Sequence, residues 1–126
     1  MGSVNPVVIL PEALKEHSES LAKTYAGSIT LGSGQFCTNP GLLLGIKSES
    51  LDSFISTLSD EIVKIQPTCM IHPNIIGAYE SNKANAIAQP QLSVVADYDN
   101  DVQSNYGRQA ITTVEGKTFL DRKSVV

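Results

Sequence analysis

A chain of 126 residues is long enough for one domain with a core of ordinary size. Its 41% hydrophobic and 17% charged residues are the composition of a globular protein and exclude a disordered tail. A net charge of −4, with no basic run longer than Arg122-Lys123, excludes nucleic acid and anionic membrane surfaces as partners, because both demand concentrated positive charge.

Val7-Val8-Ile9-Leu10 is a continuous apolar run and predicts a strand buried on both faces. Pro11 suits the first turn of a helix, whose inner face would carry Leu14, Leu21 and Tyr25 and which Gly27 would end in the left-handed conformation. Ser28-Ile29-Thr30-Leu31 predicts a second strand leading directly into the loop Gly32 to Gly41. Leu42-Leu43-Leu44-Gly45-Ile46 predicts a third. Ser48 is a helix cap, Glu49 suits a first turn, and Leu51, Phe54, Ile55, Leu58, Ile62 and Ile65 form a helical stripe that Pro67 ends. A further helix is expected from His72-Pro73 to about Ala88, with a weak stripe of Ile76, Tyr79 and Ile87. Leu92 to Ala96 and Ala110 to Val114 predict two more strands, separated by the polar segment Asp97 to Arg108. Strands alternating with helices imply an α/β fold with a largely parallel sheet flanked by helices. With no Trp and only three Phe and four Tyr, the core is aliphatic.

No segment approaches the roughly 20 apolar residues of a membrane span, and the N-terminus lacks the charged and apolar regions of a signal peptide. Two cysteines are too few for a disulfide scaffold, so the expected compartment is the reducing cytoplasm.

Those cysteines differ in their surroundings. Cys69, beside Met70 and Ile71, has no activating neighbour in sequence and fits a small buried hydrophobe. Cys37 stands in Gly32-Ser33-Gly34-Gln35-Phe36-Cys37-Thr38-Asn39-Pro40-Gly41, where two glycines permit backbone angles closed to other residues. Gln35 and Thr38 flank it with hydrogen-bonding groups, and Asn39-Pro40 halts the segment. A nucleophile loop takes this form because sulfur and a backbone N–H donor must reach one carbonyl. Many glycine-bearing loops do nothing, and spacing alone leaves both readings of Cys37 standing.

The segment GQFCTNPGLLL, with Ser28-Ile29-Thr30 upstream, resembles the catalytic-cysteine segment of the aldehyde dehydrogenase superfamily. It is most similar to the branch of α-ketoglutaric semialdehyde (2,5-dioxopentanoate) dehydrogenases and NADP-dependent fatty aldehyde dehydrogenase. Ser3-Val4-Asn5-Pro6 and Leu10-Pro11-Glu12-Ala13-Leu14 are similar to what precedes the cysteine there. The resemblance runs from Ser3 to about Leu120, specific between Ser28 and Leu42 and general beyond Ile65.

The resemblance implies oxidation of a small aldehyde to a carboxylic acid. Cys37 as thiolate would attack the aldehyde carbon to give a thiohemiacetal, its own backbone N–H serving as one arm of an oxyanion hole. Hydride would pass to NADP or NAD, and water, activated by a general base, would release the acid from the thioester. The environment must activate the thiol, whose ordinary pKa is about 8.5. In the family the general-base glutamate precedes the position where this chain opens at Met1-Gly2. The second oxyanion-hole donor, the nucleotide-binding domain and the later Glu-x-Phe-Gly-Pro segment belong to parts outside it. Residues 1–126 are therefore expected to be a partial, cysteine-bearing catalytic domain without the nucleotide-binding domain, inactive alone, with apolar patches exposed. Full-length members form homodimers or homotetramers. The substrate, and NAD against NADP, stay open.

Other patterns are weaker. Cys69-Met70-Ile71-His72 has C-x-x-H spacing, but no second pair completes four zinc ligands, so no metal is expected. His72 before Pro73 fits a helix start, and His17 among glutamates a solvated helix position. Asp97, Asp99 and Asp101 imitate a calcium loop, yet Val102 stands where glycine is required and Arg108 where a glutamate is needed. Gly32-Ser33-Gly34 lacks the third glycine of a dinucleotide fingerprint. Two competing functions remain: a non-catalytic remnant or interaction module that keeps the fold, and a thiol hydrolase pairing Cys37 with His17 or His72.

Overall fold

The structure, a computed structural model, describes residues 4–121. Ser3 of the Ser3–Pro6 stretch and the Arg122-Lys123 pair lie outside the described residues. The first elements are strand β1 (Asn5–Ile9), helix α1 (Pro11–Thr30), a short 3-10 turn (Leu31–Gly34) and strand β2 (Pro40–Gly45). Helices α2 (Glu49–Ile62) and α3 (Pro73–Ile87), strands β3 (Ser93–Asp97) and β4 (Ala110–Thr113), and helix α4 (Gly116–Asp121) follow. The α/β fold expected from the sequence is borne out.

β1 and β2 pair in parallel across the α1 crossover, with Val7 opposite Leu43 and Val8 opposite Leu44. Parallel strands need such a crossover, and their uninterrupted apolar runs suit a sheet meant to be covered twice. β3 and β4 form a second, antiparallel pair.

The core is the seam between α1 and α2, joined by Ile9 of β1 and Ala96 of β3. Phe54, Leu58 and Ile62 are fully buried along α2, as its stripe predicts. Burial of side chains this size contributes roughly 2 kcal/mol each. Facing them on α1 are Leu14, Ala22 and Ala26. The alanines, four residues apart, share one face of the helix and allow close approach. Tyr25 meets Phe54 edge to face, with ring centroids 6.3 Å apart. Ser48 caps α2, its hydroxyl accepting from the Leu51 N–H, and at the other end Gln109 Nε2 donates to the carbonyls of Ile62 and Ile65 at 2.9 and 2.7 Å. That side chain ties the β4 side of the molecule to the α2 terminus. α2 ends at Ile62, ahead of Pro67, while Ile65 still packs on the core. α3 buries nothing fully and leans in through half-buried Ile76, Tyr79 and Ile87, matching its weak stripe.

Two expectations are corrected: the Val7–Leu10 run that forms β1 is not buried on both faces, since Val8 and Leu10 are exposed while Ile9 is buried, and one stretch takes a different secondary structure. Ser28 to Thr30 are not a strand but the last turn of α1, and Leu31 opens the 3-10 turn. Gly27 does not end the helix, because Ile29 continues the Tyr25 face onto the core. The left-handed terminators are Gly32, Ser33 and Gly34, with φ of 58°, 58° and 72°. The cysteine loop therefore links a helix C-terminus to the start of β2 and does not leave the end of a strand.

Candidate functional site

Cys37 and Thr38 are the two middle residues of a tight turn closed by the Asn39 N–H donating to the Phe36 carbonyl at 3.1 Å. Both are exposed. The approach through Gly32 explains its glycine. A Cβ there would come within 2.9 Å of the Phe36 ring, at a φ that L side chains rarely adopt.

Three sets of side chains fasten this turn to the body of the molecule. Asn5, at the head of β1, donates from Nδ2 to the carbonyls of Cys37 and Asn39, both at 2.9 Å. Asn39 donates from its own Nδ2 to the carbonyls of Ser28 and Ile29 at 3.2 and 2.7 Å, satisfying the open C-terminus of α1. On the third side, Gln35 Oε1 accepts from the Ile71 N–H at 3.2 Å. Ser33 Oγ donates to the Thr68 carbonyl at 2.8 Å and lies 2.6 Å from Thr68 Oγ1, which accounts for a non-glycine residue at positive φ. A cavity of about 340 Å³ opens beside the loop, bounded among others by Ser33, Gln35, Asn39, Met70, Tyr79 and Gln109; Cys37 does not line it.

Cys69 is exposed, contrary to its expected role as buried filler, and the buried residue of that pair is Met70. Backbone pairing of Cys69 with Tyr106 turns its side chain outward, where the sulfur lies 3.4 Å from Asn105 Nδ2. His72 caps α3, its Nδ1 accepting from the Asn74 N–H at 3.1 Å. His17 sits exposed on α1 beside Glu16 at 3.7 Å. Asp97 holds Lys83 Nζ at 2.6 Å, and Asp99 and Asp101 lie on the polar loop. Among the described residues no cluster of His, Cys, Asp or Glu could hold a metal ion, and no helix is long and apolar enough to cross a membrane.

Tyr79 lines the cavity, and its phenol is perturbed. Burial, then the charges of Glu80 and Asp97, push its phenol up to about 12. The hydroxyl donates to the Arg108 carbonyl at 2.7 Å.

Sequence reasoning selected Cys37 and missed the residues that hold it. Asn39 reads in the sequence only as part of a stop before Pro40; it caps α1 from nine residues beyond Thr30, a separation that no local capping signal covers. Nothing local marks Asn5, whose contact spans 32 residues.

No protein-family model matches the chain. Curated relatives do. It is 41% identical over 80 residues to the α-ketoglutaric semialdehyde dehydrogenase of Acinetobacter baylyi, covering 64% of this chain and 15% of that protein. It is 38% identical over 90 residues to α-ketoglutaric semialdehyde dehydrogenase 2 of Azospirillum brasilense, covering 71% of this chain and 17% of that protein. The chain thus spans less than a fifth of the length of these relatives. Across most of its own length it resembles one segment of an aldehyde dehydrogenase, as GQFCTNPGLLL indicated.

Proposed function

We propose that residues 1–126 are the cysteine-bearing part of an aldehyde dehydrogenase catalytic domain and that Cys37 is its nucleophile. The observation that carries this is the exposed place of Cys37 at the tip of a turn fastened from three directions, within the segment that resembles the family's catalytic cysteine. Such a thiol can add to an aldehyde: a sulfur–carbon bond forms, the carbonyl π bond opens, and the proton passes to oxygen. A small aldehyde is the substrate, with 2,5-dioxopentanoate favoured by the names of the relatives and a long-chain aldehyde as the runner-up.

NADP or NAD, held by parts of the longer enzyme outside these residues, would supply the hydride acceptor. The Gly32-Ser33-Gly34 turn does not fit that cofactor's phosphates, because it follows the C-terminal end of α1, where the helix dipole is negative. The expected setting is cytoplasmic, in a homodimer or homotetramer of the longer protein.

The test has two arms. Incubated with NADP+ or NAD+ and 2,5-dioxopentanoate, the 126-residue chain should give no sustained rise in absorbance of the reduced cofactor; turnover would overturn the reading of an incomplete site. In the second arm, aldehyde should protect Cys37 from iodoacetamide at far lower concentration than Cys69, as read by peptide mass spectrometry. Equal protection of both thiols would remove Cys37 as nucleophile and leave the non-catalytic reading.

A further inference from the structure

We infer that Asn5 is a positioning residue for Cys37, fixing the direction of its side chain by holding the peptide that follows it. The inference rests on the reading of Cys37 as nucleophile. A rigid trans peptide leaves each residue two soft backbone dihedrals, one toward each neighbouring plane. For Cys37 both planes are tethered. The preceding one is held through the Phe36 carbonyl, which accepts from the Asn39 N–H. The following one is held through the Cys37 carbonyl, which accepts from Asn5 Nδ2 at 2.9 Å. With both planes fixed, the sulfur is left with its side-chain torsion alone. In a trans peptide the N–H opposes the C=O, so drawing the Cys37 carbonyl onto Asn5 also turns the Thr38 N–H away from β1.

The second proton of the same carboxamide goes to the Asn39 carbonyl, also at 2.9 Å. One side chain therefore bridges two carbonyls within the turn, and only a primary amide or a comparable two-proton donor can do so. The strand register places it there. Asn5 pairs with Pro40, and the ladder then slips so that Pro6 faces Leu42, leaving Gly41 as an extra residue that brings the end of the turn over Asn5. A first strand residue with no such duty would need no amide; Asn is poor in strands and is half-buried here.

The 126-residue chain tests this without any cofactor. The quantity measured is the 2,5-dioxopentanoate concentration that halves iodoacetamide labelling of Cys37. The alkylation rate of Cys69 and amide hydrogen exchange in α2 serve as controls for global structure. Asn5→Ala should raise that concentration about tenfold, the worth of an ordinary hydrogen bond, with both controls unchanged. A loss of stability alone would move Cys69 and α2 as well. Asn5→Asp, which keeps the shape but loses both donors at neutral pH, should do at least as much and decides the matter if the alanine variant fails to fold. Cys37 in the parent no better protected than Cys69 would overturn the nucleophile reading and this inference with it. A well-protected parent matched by folded Asn5→Asp would overturn the role of Asn5 alone.

Discussion

Asn39 offers a direct test of how the loop is anchored, because replacing it with Asp changes two atoms' chemistry and almost no shape. Its Nδ2 donates to the carbonyls of Ser28 and Ile29, at the negative end of the α1 dipole. In Asn39→Asp a carboxylate oxygen faces those carbonyls instead. The two lost bonds are worth about 1 kcal/mol each where buried and less where, as at Ser28, solvent competes. The misplaced charge at the helix terminus adds about 0.5 kcal/mol. At pH 7 the variant should lose about 2 kcal/mol, lowering Tm by about 8 °C for a domain of this size. Asn39→Ala, which loses the bonds without adding charge, should lose about 1.5 kcal/mol. The pH dependence separates the two. A carboxylate facing carbonyls has its folded-state pKa raised above the unfolded value of about 3.9, so the folded form binds the extra proton more readily. The deficit of Asn39→Asp relative to the parent should therefore be smallest below that value. It should grow as pH rises through the folded pKa and stay constant above it, while that of Asn39→Ala stays flat. Melting followed by circular dichroism from pH 3 to 8 reads this directly. Parallel curves for the two variants would refute the geometry assigned to Asn39.

Three further outcomes follow from packing and burial. Alkaline titration followed by phenolate absorbance should include a tyrosine transition near 12 that Tyr79→Phe removes. Because that pKa is raised, the Tyr79 contribution is intact below about pH 10 and is lost as pH climbs toward 12. Gly32→Ala should cost about 1 kcal/mol, set by the left-handed backbone; the exposed Phe36 ring can swing away from the new Cβ, and Tm should fall by about 4 °C. Val8 and Leu44 pair across β1 and β2 and are both exposed, so Leu44→Lys should reduce self-association in sedimentation and binding of apolar dyes with little change in Tm.

Where residues next to one another decide the structure, the sequence was readable. The α2 stripe, the Ser48 cap, Pro11 at the head of α1 and the apolar runs of β1 and β2 each appear within a few positions of where they were expected. The Ser28–Leu31 stretch was misread because four residues are too few for period two and period 3.6 to differ, and β-branched Ile29 and Thr30 favour strand in isolation. Tertiary contact decides it: Ile29 packs against the core one turn beyond Tyr25, and Thr30 Oγ1 donates to the Ala26 carbonyl at 2.9 Å. Ala22 and Ala26 went unnoticed because small residues carry little hydrophobic signal, although they let α1 lie close to Phe54 and Leu58. Cys69 was misplaced for the opposite reason, since its apolar neighbours suggested burial that the pairing with Tyr106 denies it.

The same distinction governs the site. Chemistry is local, so Gly34-Gln35-Phe36-Cys37-Thr38 can be recognised as a string. Geometry is not. The turn takes its shape from Asn5, from the end of α1 and from the 68–71 segment, which lie 32 to 36 residues away or across a helix terminus. Each tether on its own is a modest hydrogen bond, partly open to water. Together they hold both peptide planes around Cys37, and their loss is coupled because β1, α1 and the 68–71 segment must all be in place at once. A thiol on a short flexible loop explores many directions. Here the order of the loop is borrowed from the α1–α2 core through Asn39 and from the parallel sheet through Asn5, so the direction of one sulfur depends on elements far from it in sequence.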